Sequence, residues 1–282
     1  MDTSRRPPTT KHPYVLGHSA HEIERLKAQA QLIDPITEHF LREAGIAPGM
    51  RVLDVGTGAG DVAFLAAEIV GPAGEVVGID RELAALEVAR SRASVKALST
   101  VTFAEAQSNA QALSQPFDAV IGRYVLQFQP DPAAMLRELT VKLKPSGLIV
   151  FHEIDWSGLR SFPPLQTFDQ MCRWGAETLR LHGTETQMGL KLFETFIAAG
   201  LPPPTIRLEA PIGGAPEINS WLRMFVDLIA VLLPQMEHLG VAKSDEVGLD
   251  TLYERLRSEA ELHCSVLVGH HQVGAWTRCD GA

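Results

Sequence analysis

Between residues 51 and 152, short apolar runs alternate with segments in which apolar residues recur every three or four positions. The apolar runs are continuous in valine, isoleucine and leucine, which is typical of strands that are covered on both faces. Strands that alternate with amphipathic helices predict a doubly wound, mostly parallel α/β sheet. The predicted strands are 51–55, 75–79, 100–105, 117–122 and 147–152, and the predicted helices are 61–70, 82–94 and 132–142.

Two amphipathic helices are predicted ahead of this sheet, at 21–33 and 35–44. Asp34 has the side chain of an N-cap, Pro35 suits the first helical position, and Gly45 suits the end of the second helix. Residues 1–12 contain arginines and prolines but no apolar run, so we interpret them as a flexible tail.

The pattern changes after the fifth strand, where helical periodicity dominates. The predicted helices are 163–183, 189–199, 217–233 and 245–261, and the predicted strands are 205–210 and 273–278. The two late strands would bring the sheet to seven. We divide the chain into tail and cap helices (1–46), a sheet core (47–155), and helical insertions with closing strands of the same sheet (156–282).

A glycine-rich turn follows the first strand, in the sequence Val-Leu-Asp-Val-Gly-Thr-Gly-Ala-Gly-Asp-Val-Ala at 52–63. Glycines let the backbone adopt positive φ and let a ligand lie against the main chain at a helix N-terminus. A dinucleotide turn has the spacing G-x-G-x-x-G, whereas here Asp61 takes the place of the third glycine and Asp54 precedes the turn. Two carboxylates would crowd a pyrophosphate, so the turn favours a cationic ligand.

Three further segments accompany this turn, at 76–80, 117–123 and 143–150. Together with the turn they resemble the motifs of class I S-adenosylmethionine-dependent methyltransferases, in particular the ubiquinone/menaquinone-methyltransferase-like branch. The resemblance implies a Rossmann-like methyltransferase fold, S-adenosyl-L-methionine as cofactor, and in-line methyl transfer to a small, apolar or aromatic molecule. It leaves the acceptor and the choice of O-, N- or C-methylation open.

The resemblance also implies which residues hold the cofactor. The glycine turn would surround the methionine moiety, Asp80 would bind the ribose, and Arg81 would flank the adenine. Gln107 stands where many relatives have an aspartate that accepts from the adenine amino group. Arg123 could position cofactor or acceptor, with a surface salt bridge as the alternative. The complete implied set is Tyr14, Asp54, Gly56, Thr57, Gly58, Gly60, Asp80, Arg81, Gln107, Ser108 and Arg123.

A general base is needed only if the acceptor must lose a proton. His152, at the end of the fifth strand, is the first candidate, and a hydrogen-bonded structural histidine is the alternative. The other candidates are Glu153, Asp155, Tyr14, His18 and His21. No metal site is expected, because alternation along a strand puts residues 153 and 155 on one side and 152 on the other.

The insertions after the fifth strand are rich in apolar and aromatic residues. Segments that follow the carboxyl ends of strands lie over the active site of open α/β sheets, so we expect a substrate lid. Packing on the sheet is the alternative, and both can hold for different residues. The residues concerned are Phe162, Phe168, Met171, Trp174, Trp221, Met224, Phe225, Leu228 and Leu232.

The composition limits the classes of molecule that the protein is expected to bind. A net charge of −9 from 25 basic and 34 acidic residues gives no footprint for nucleic acid. Three cysteines without metal-site spacing indicate reduced thiols in a cytoplasmic protein. Because no spanning segment appears in the sequence, no membrane partner is expected. The expected partner is a small-molecule methyl acceptor, and a homodimer is left open. Two other functions stay open: an NAD(P)-dependent oxidoreductase and a non-catalytic interaction protein on the cofactor fold.

Overall fold

The computed structural model describes residues 20–107 and 111–279, without the side chains of 20–28 and 31. The predicted tail, Tyr14, His18 and Ser108 therefore lie outside the described residues, and so does the side chain of His21.

The strands form two sheets. Their bounds are β1 Arg51–Val55, β2 Glu75–Asp80, β3 Val101–Glu105, β4 Phe117–Arg123, β5 Leu143–Asp155, β6 Arg160–Phe162, β7 Thr205–Glu209, β8 Ile212–Gly213, β9 Val266–Val268 and β10 His271–Arg278. The main sheet has the order β3-β2-β1-β4-β5-β10-β7, and the small sheet has the order β6-β9-β8. β1 to β5 pair in parallel, and β10 runs antiparallel to both of its neighbours. The predicted seven-stranded α/β sheet is confirmed.

The helices cover the main sheet and extend beyond it. Their bounds are α1 Ala20–Ala44, α2 Asp61–Val70, α3 Leu83–Val95, α4 Pro132–Thr140, α5 Gln166–Leu181, α6 Met188–Ala198, α7 Asn219–Leu239, α8 Ser244–Val247 and α9 Leu249–Leu262. A 3₁₀ turn follows β4 at Leu126–Phe128. Within the described residues, none of these helices is both long enough and apolar enough to cross a membrane.

Strand alternation divides the interior into two layers. Val52 of β1 faces a core with α1 and α2, whereas its neighbour Leu53 faces a core with α4 and α6. A third core lies among α5, α7 and α9, which pack against one another. Because α1 also packs against α7, this helical layer is joined to the element that precedes the sheet.

The prediction of two N-terminal helices is wrong, since α1 is continuous through Pro35. Asp34 does not act as a cap. Its Oδ1 accepts a hydrogen bond from Arg123 Nη1 at 2.7 Å. Ile33, Thr37 and Phe40 on either side are buried. Their packing offsets the one backbone hydrogen bond that a proline removes.

Two other differences lie in the C-terminal half. The predicted helix at 245–261 is interrupted at Gly248, whose φ is 56°, so that α8 and α9 are separate. The small sheet was not predicted, because its strands of two or three residues are too short to show a period. β7 and β10 join the main sheet as expected, while the division into three regions stays a prediction.

Candidate functional site

A cavity of 470 Å³ opens at the carboxyl ends of the parallel strands. Its wall draws on the turn after β1, the end of β2, the turn after β4, and residues of α1 and α7. We call the part formed by Gly56, Thr57, Gly58, Asp80 and Arg81 the glycine end. We call the part formed by Trp156, Leu179, Trp221, Met224, Leu228 and His270 the aromatic end.

The backbone of the glycine end requires glycine. Gly56, Gly58 and Gly60 have φ values of 66°, 53° and 91°. A Cβ on Gly56 would lie 2.7 Å from Val125 Cγ2, whereas a Cβ on Gly58 would meet nothing within 4 Å. Gly58 therefore exposes bare backbone to the cavity. A Cβ on Gly60 would lie 2.9 Å from Phe64 Cζ, and Gly60 is not part of the wall.

Two carboxylates hold this turn. Thr57 Oγ1 donates to Asp54 Oδ2 at 2.6 Å, and the Gly58 backbone N–H donates to Asp80 Oδ2 at 2.8 Å. Asp80 Oδ1 accepts from the Glu82 N–H at 3.0 Å. Each carboxylate oxygen has two lone pairs, so Asp80 still has acceptor capacity toward the cavity.

Asp54 lies beneath the turn and is not part of the wall. It is 1% exposed, and burial raises its pKa to about 7, against the hydrogen bond from Thr57 that lowers it. A cation placed in the glycine end would favour the charged form of this carboxyl group.

Arg123 forms part of the wall and links β4 to α1. Its Nη1 donates to Asp34 Oδ1 at 2.7 Å and to Thr37 Oγ1 at 2.9 Å. The Arg123 side chain is only 9% exposed, so its ion pair is not a surface salt bridge. Burial raises the pKa of Asp34, while Arg123 acts in the opposite direction.

Of the residues predicted to contact the adenine, some line the cavity and others do not. Arg81 belongs to the cavity wall, with Nε 3.6 Å from Glu82 Oε1. Gln107 is exposed and lies outside the wall, whereas its neighbour Ala106 is part of it. Tyr14 and Ser108 lie outside the described residues. Their predicted roles, like that of Gln107, stay predictions.

His152 is buried behind the cavity and does not form part of its wall. Nε2 donates to Gln272 Oε1 at 2.9 Å, and Nδ1 lies 3.1 Å from Thr37 Oγ1. Burial lowers its pKa to about 3, and the charge of Arg123 acts in the same direction. Both ring nitrogens are thus engaged within the protein, which favours the structural alternative over a general base.

The two acids after His152 are also outside the cavity wall. Glu153 Oε1 accepts from the backbone N–H groups of Val125 at 2.8 Å and Leu126 at 2.7 Å, which fixes the turn after β4. Burial raises the pKa of Glu153 to about 7. Asp155 Oδ1 accepts from the Ser157 backbone N–H at 2.9 Å. Over 20–107 and 111–279, no group of three or more potential ligand residues could hold a metal ion.

The expected lid residues have different locations. Trp221, Met224 and Leu228 line the cavity, as the lid prediction requires. Phe162 is 79% exposed. The others pack into the third core, among helices rather than on the main sheet that the packing alternative named: Phe168, Met171, Trp174, Phe225 and Leu232.

The sequence reasoning missed three residues of the aromatic end, which are Trp156, Leu179 and His270. Trp156 directly follows β5, and the rule that sites form outside the carboxyl ends of parallel strands could have identified it. His270 gave no such signal, because it precedes an antiparallel strand that enters the sheet from the opposite direction.

The two ends have complementary chemistry. The glycine end offers backbone and an acidic side chain, which suit a polar, positively charged ligand with hydroxyl groups. The aromatic end offers indole rings and aliphatic side chains, which suit a planar apolar molecule. Because both ends belong to one cavity, two such ligands would lie next to each other.

Comparison with known proteins gives a consistent result. The model of a family described as "Methyltransferase domain" matches residues 46–194. A 2-phytyl-1,4-naphtoquinone methyltransferase of Synechococcus elongatus is 44% identical over 105 residues, which cover 36% of this chain and 44% of the relative. A ubiquinone/menaquinone biosynthesis C-methyltransferase of Xanthomonas campestris is 37% identical over 138 residues, which cover 46% and 52%. The match thus spans about half the length of these curated relatives.

The fold is similar to that of a phosphoethanolamine N-methyltransferase of Haemonchus contortus solved with S-adenosyl-L-methionine. The TM-score is 0.51 at 20% identity, with 86% of this chain and 52% of the other covered. At this identity the likeness shows the fold alone.

Proposed function

Because the chain belongs to the family of methyltransferase domains, we propose that it transfers a methyl group from S-adenosylmethionine to a small aromatic or quinone-like molecule. The observation that carries this proposal is that an acidic glycine turn and an aromatic end line the same cavity. The turn accounts for a cationic methyl donor, and the aromatic end accounts for a planar acceptor.

The residues of the glycine end fit this cofactor. Bare backbone at Gly58 allows close approach of the methionine part, and Asp80 has the free lone pairs that two ribose hydroxyl groups need. Arg81 borders the same region. When bound, S-adenosylmethionine supplies an activated methyl group on a sulfonium.

The protein's own contribution is alignment and exclusion of water. Holding two reactants in line supplies much of the barrier reduction in a displacement on an activated donor. The 470 Å³ cavity, which α1 and α7 border, gives the two reactants one common site. With both nitrogens of His152 engaged, we propose that transfer depends on alignment rather than on proton abstraction by this residue.

The acceptor class is inferred from the relatives and from the cavity together. The names of both curated relatives refer to quinone methylation. A quinone or hydroquinone head is planar and apolar with oxygen substituents, which matches the indole-lined aromatic end. The family match favours methyl transfer over an oxidoreductase or a non-catalytic protein.

We further propose a cytoplasmic protein that does not bind nucleic acid. The net charge of −9 and the free cysteines Cys172, Cys264 and Cys279 support this. A homodimer stays a prediction.

The decisive test combines binding with transfer. Calorimetry should detect binding of S-adenosylmethionine and S-adenosylhomocysteine but not of NADH. A radiolabelled methyl group should then pass from the cofactor to a naphthohydroquinone. Binding of NADH alone would exclude the proposal. Cofactor binding without transfer to any aromatic in a metabolite extract would favour the non-catalytic alternative.

A further inference from the structure

The aromatic end contains a histidine whose hydrogen-bonding capacity is unused. His270 lies in the cavity wall just before β10 and is 1% exposed. Neither of its ring nitrogens has a hydrogen-bond partner in the described part of the chain. Burying an unpaired polar group costs free energy, so such groups call for an explanation, and a ligand is one.

Three aromatic rings surround this imidazole. The centroid distances from His270 are 4.4 Å to Trp156, 4.6 Å to Phe225 and 5.1 Å to Trp221. The indole Nε1 of Trp221 likewise lacks a partner within the described residues. Two unsatisfied polar side chains therefore lie side by side in the aromatic end, among the rings and aliphatic side chains that form it.

The imidazole is neutral at physiological pH. Burial lowers the pKa of His270 to about 3, and the neighbouring His271 acts in the same direction. A neutral imidazole has one N–H donor and one lone pair, and the indole has one N–H donor. Together they can satisfy a hydroxyl or a carbonyl oxygen, but they offer no charge to an ionic group.

We propose that His270 and Trp221 bind an oxygen substituent on the ring of the methyl acceptor and so select oxygenated aromatic molecules over plain ones. This inference rests on the proposed methyl transfer. Both residues belong to the cavity wall, but their three nitrogens are buried, so binding requires each ring to turn its polar atom toward the acceptor. The oxygen is then held at the aromatic end, and the opposite edge of the acceptor ring faces the glycine end.

The test uses 1-naphthol and naphthalene, which share a ring system and differ by one hydroxyl group. Their dissociation constants are measured by tryptophan fluorescence quenching with S-adenosylhomocysteine at saturation. His270→Phe keeps an aromatic ring and removes both nitrogens. We expect the preference for naphthol over naphthalene to fall about 3- to 10-fold, the loss of one neutral hydrogen bond. Trp221→Phe should have a similar effect.

Two further variants separate binding from packing. His270→Gln restores hydrogen-bonding groups and should recover most of the naphthol preference. Phe225→Leu alters the packing around His270 without changing a polar atom, so the ratio of the two affinities should stay at the wild-type value. A ratio that is unchanged in both His270→Phe and Trp221→Phe overturns the inference, and so does a wild-type protein that binds naphthalene but not naphthol.

Failure of the proposed function has a different signature. A wild-type protein that binds no S-adenosylhomocysteine in calorimetry contradicts the methyl transfer itself. The naphthol-to-naphthalene ratio, measured without cofactor, would then still report on His270. If the cofactor binds normally and the naphthol-to-naphthalene ratio is unchanged in the variants, only the role assigned to His270 and Trp221 is contradicted.

Discussion

Asp80 serves two purposes with one carboxylate. It fixes the glycine turn through the N–H groups of Gly58 and Glu82, and it presents its remaining lone pairs to the cavity. The family resemblance implied from the sequence alone that Asp80 binds the ribose. The link to Gly58 could not be predicted, because it depends on how the end of β2 meets the turn after β1.

Asp80→Ala should raise the dissociation constant of S-adenosylhomocysteine about 10- to 150-fold, because the variant loses charge-assisted hydrogen bonds to the ribose. Calorimetry measures the change, and circular dichroism checks that the fold persists. Glu87→Ala removes an exposed carboxylate from α3 and should leave the affinity unchanged. Equal affinities of wild type and Asp80→Ala would remove Asp80 from the site.

His152→Ala should reduce turnover less than about tenfold, whereas loss of a general base typically costs about 10² to 10⁴. The variant loses the contacts of the imidazole with Gln272 and Thr37, so its melting temperature should be lower than that of the wild type. The rate of the wild-type enzyme should show no inflection near the usual imidazole pKa, because burial lowers the pKa of His152 to about 3. A drop of 10³ with intact cofactor affinity would instead make it the base.

At the scale of elements, α1 is fastened over the cavity by a buried ionic contact. Arg123 at the end of β4 holds Asp34 and Thr37, and Ile33 of the same helix lines the wall. The sequence located both helical halves and placed Arg123 near the site. It could not predict one continuous helix, because the side chains that outweigh Pro35 pack against residues more than 80 positions away.

Arg123→Ala should destabilise the protein by about 1.5 to 3 kcal/mol, because it leaves the partly buried carboxylate of Asp34 without its charged donor. Asp34→Asn and the double variant complete a mutant cycle in urea unfolding, and we expect a coupling above about 0.5 kcal/mol. The exposed pair Arg180 and Glu177 on α5 is the control and should show no measurable coupling. Additive effects for Arg123 and Asp34 would mean that the ion pair does not fasten α1.

At the scale of the whole molecule, one cavity is built from residues as distant as Gln29 and His270. The β-strand core was predictable, because each buried strand is a local apolar run. The aromatic end was only partly predictable, because the face of α7 gives the same period whether it lines a cavity or a core. Trp221 and Phe225 are four residues apart, yet only Trp221 reaches the wall.

Hydrogen exchange should slow over 156–186 and 219–239 when cofactor and acceptor are added together, because these segments contribute Trp156, Leu179 and Trp221 to the wall. In the structure α9 adds no residue to the wall, so its peptides serve as an internal control. Identical exchange rates with and without ligands would mean that α5, α7 and α9 only pack against one another and do not cover a bound ligand.

The family match ends at residue 194, whereas Trp221, Met224, Leu228 and His270 all follow it. The whole glycine end thus lies within the matched region, while four of the six aromatic-end residues lie beyond it. Substitutions that remodel the later stretch leave the glycine turn and Asp80 untouched, so acceptor preference can diverge while the donor stays the same. For an engineer, this makes α7 and the residues before β10 the place to build a library with new acceptor selectivity.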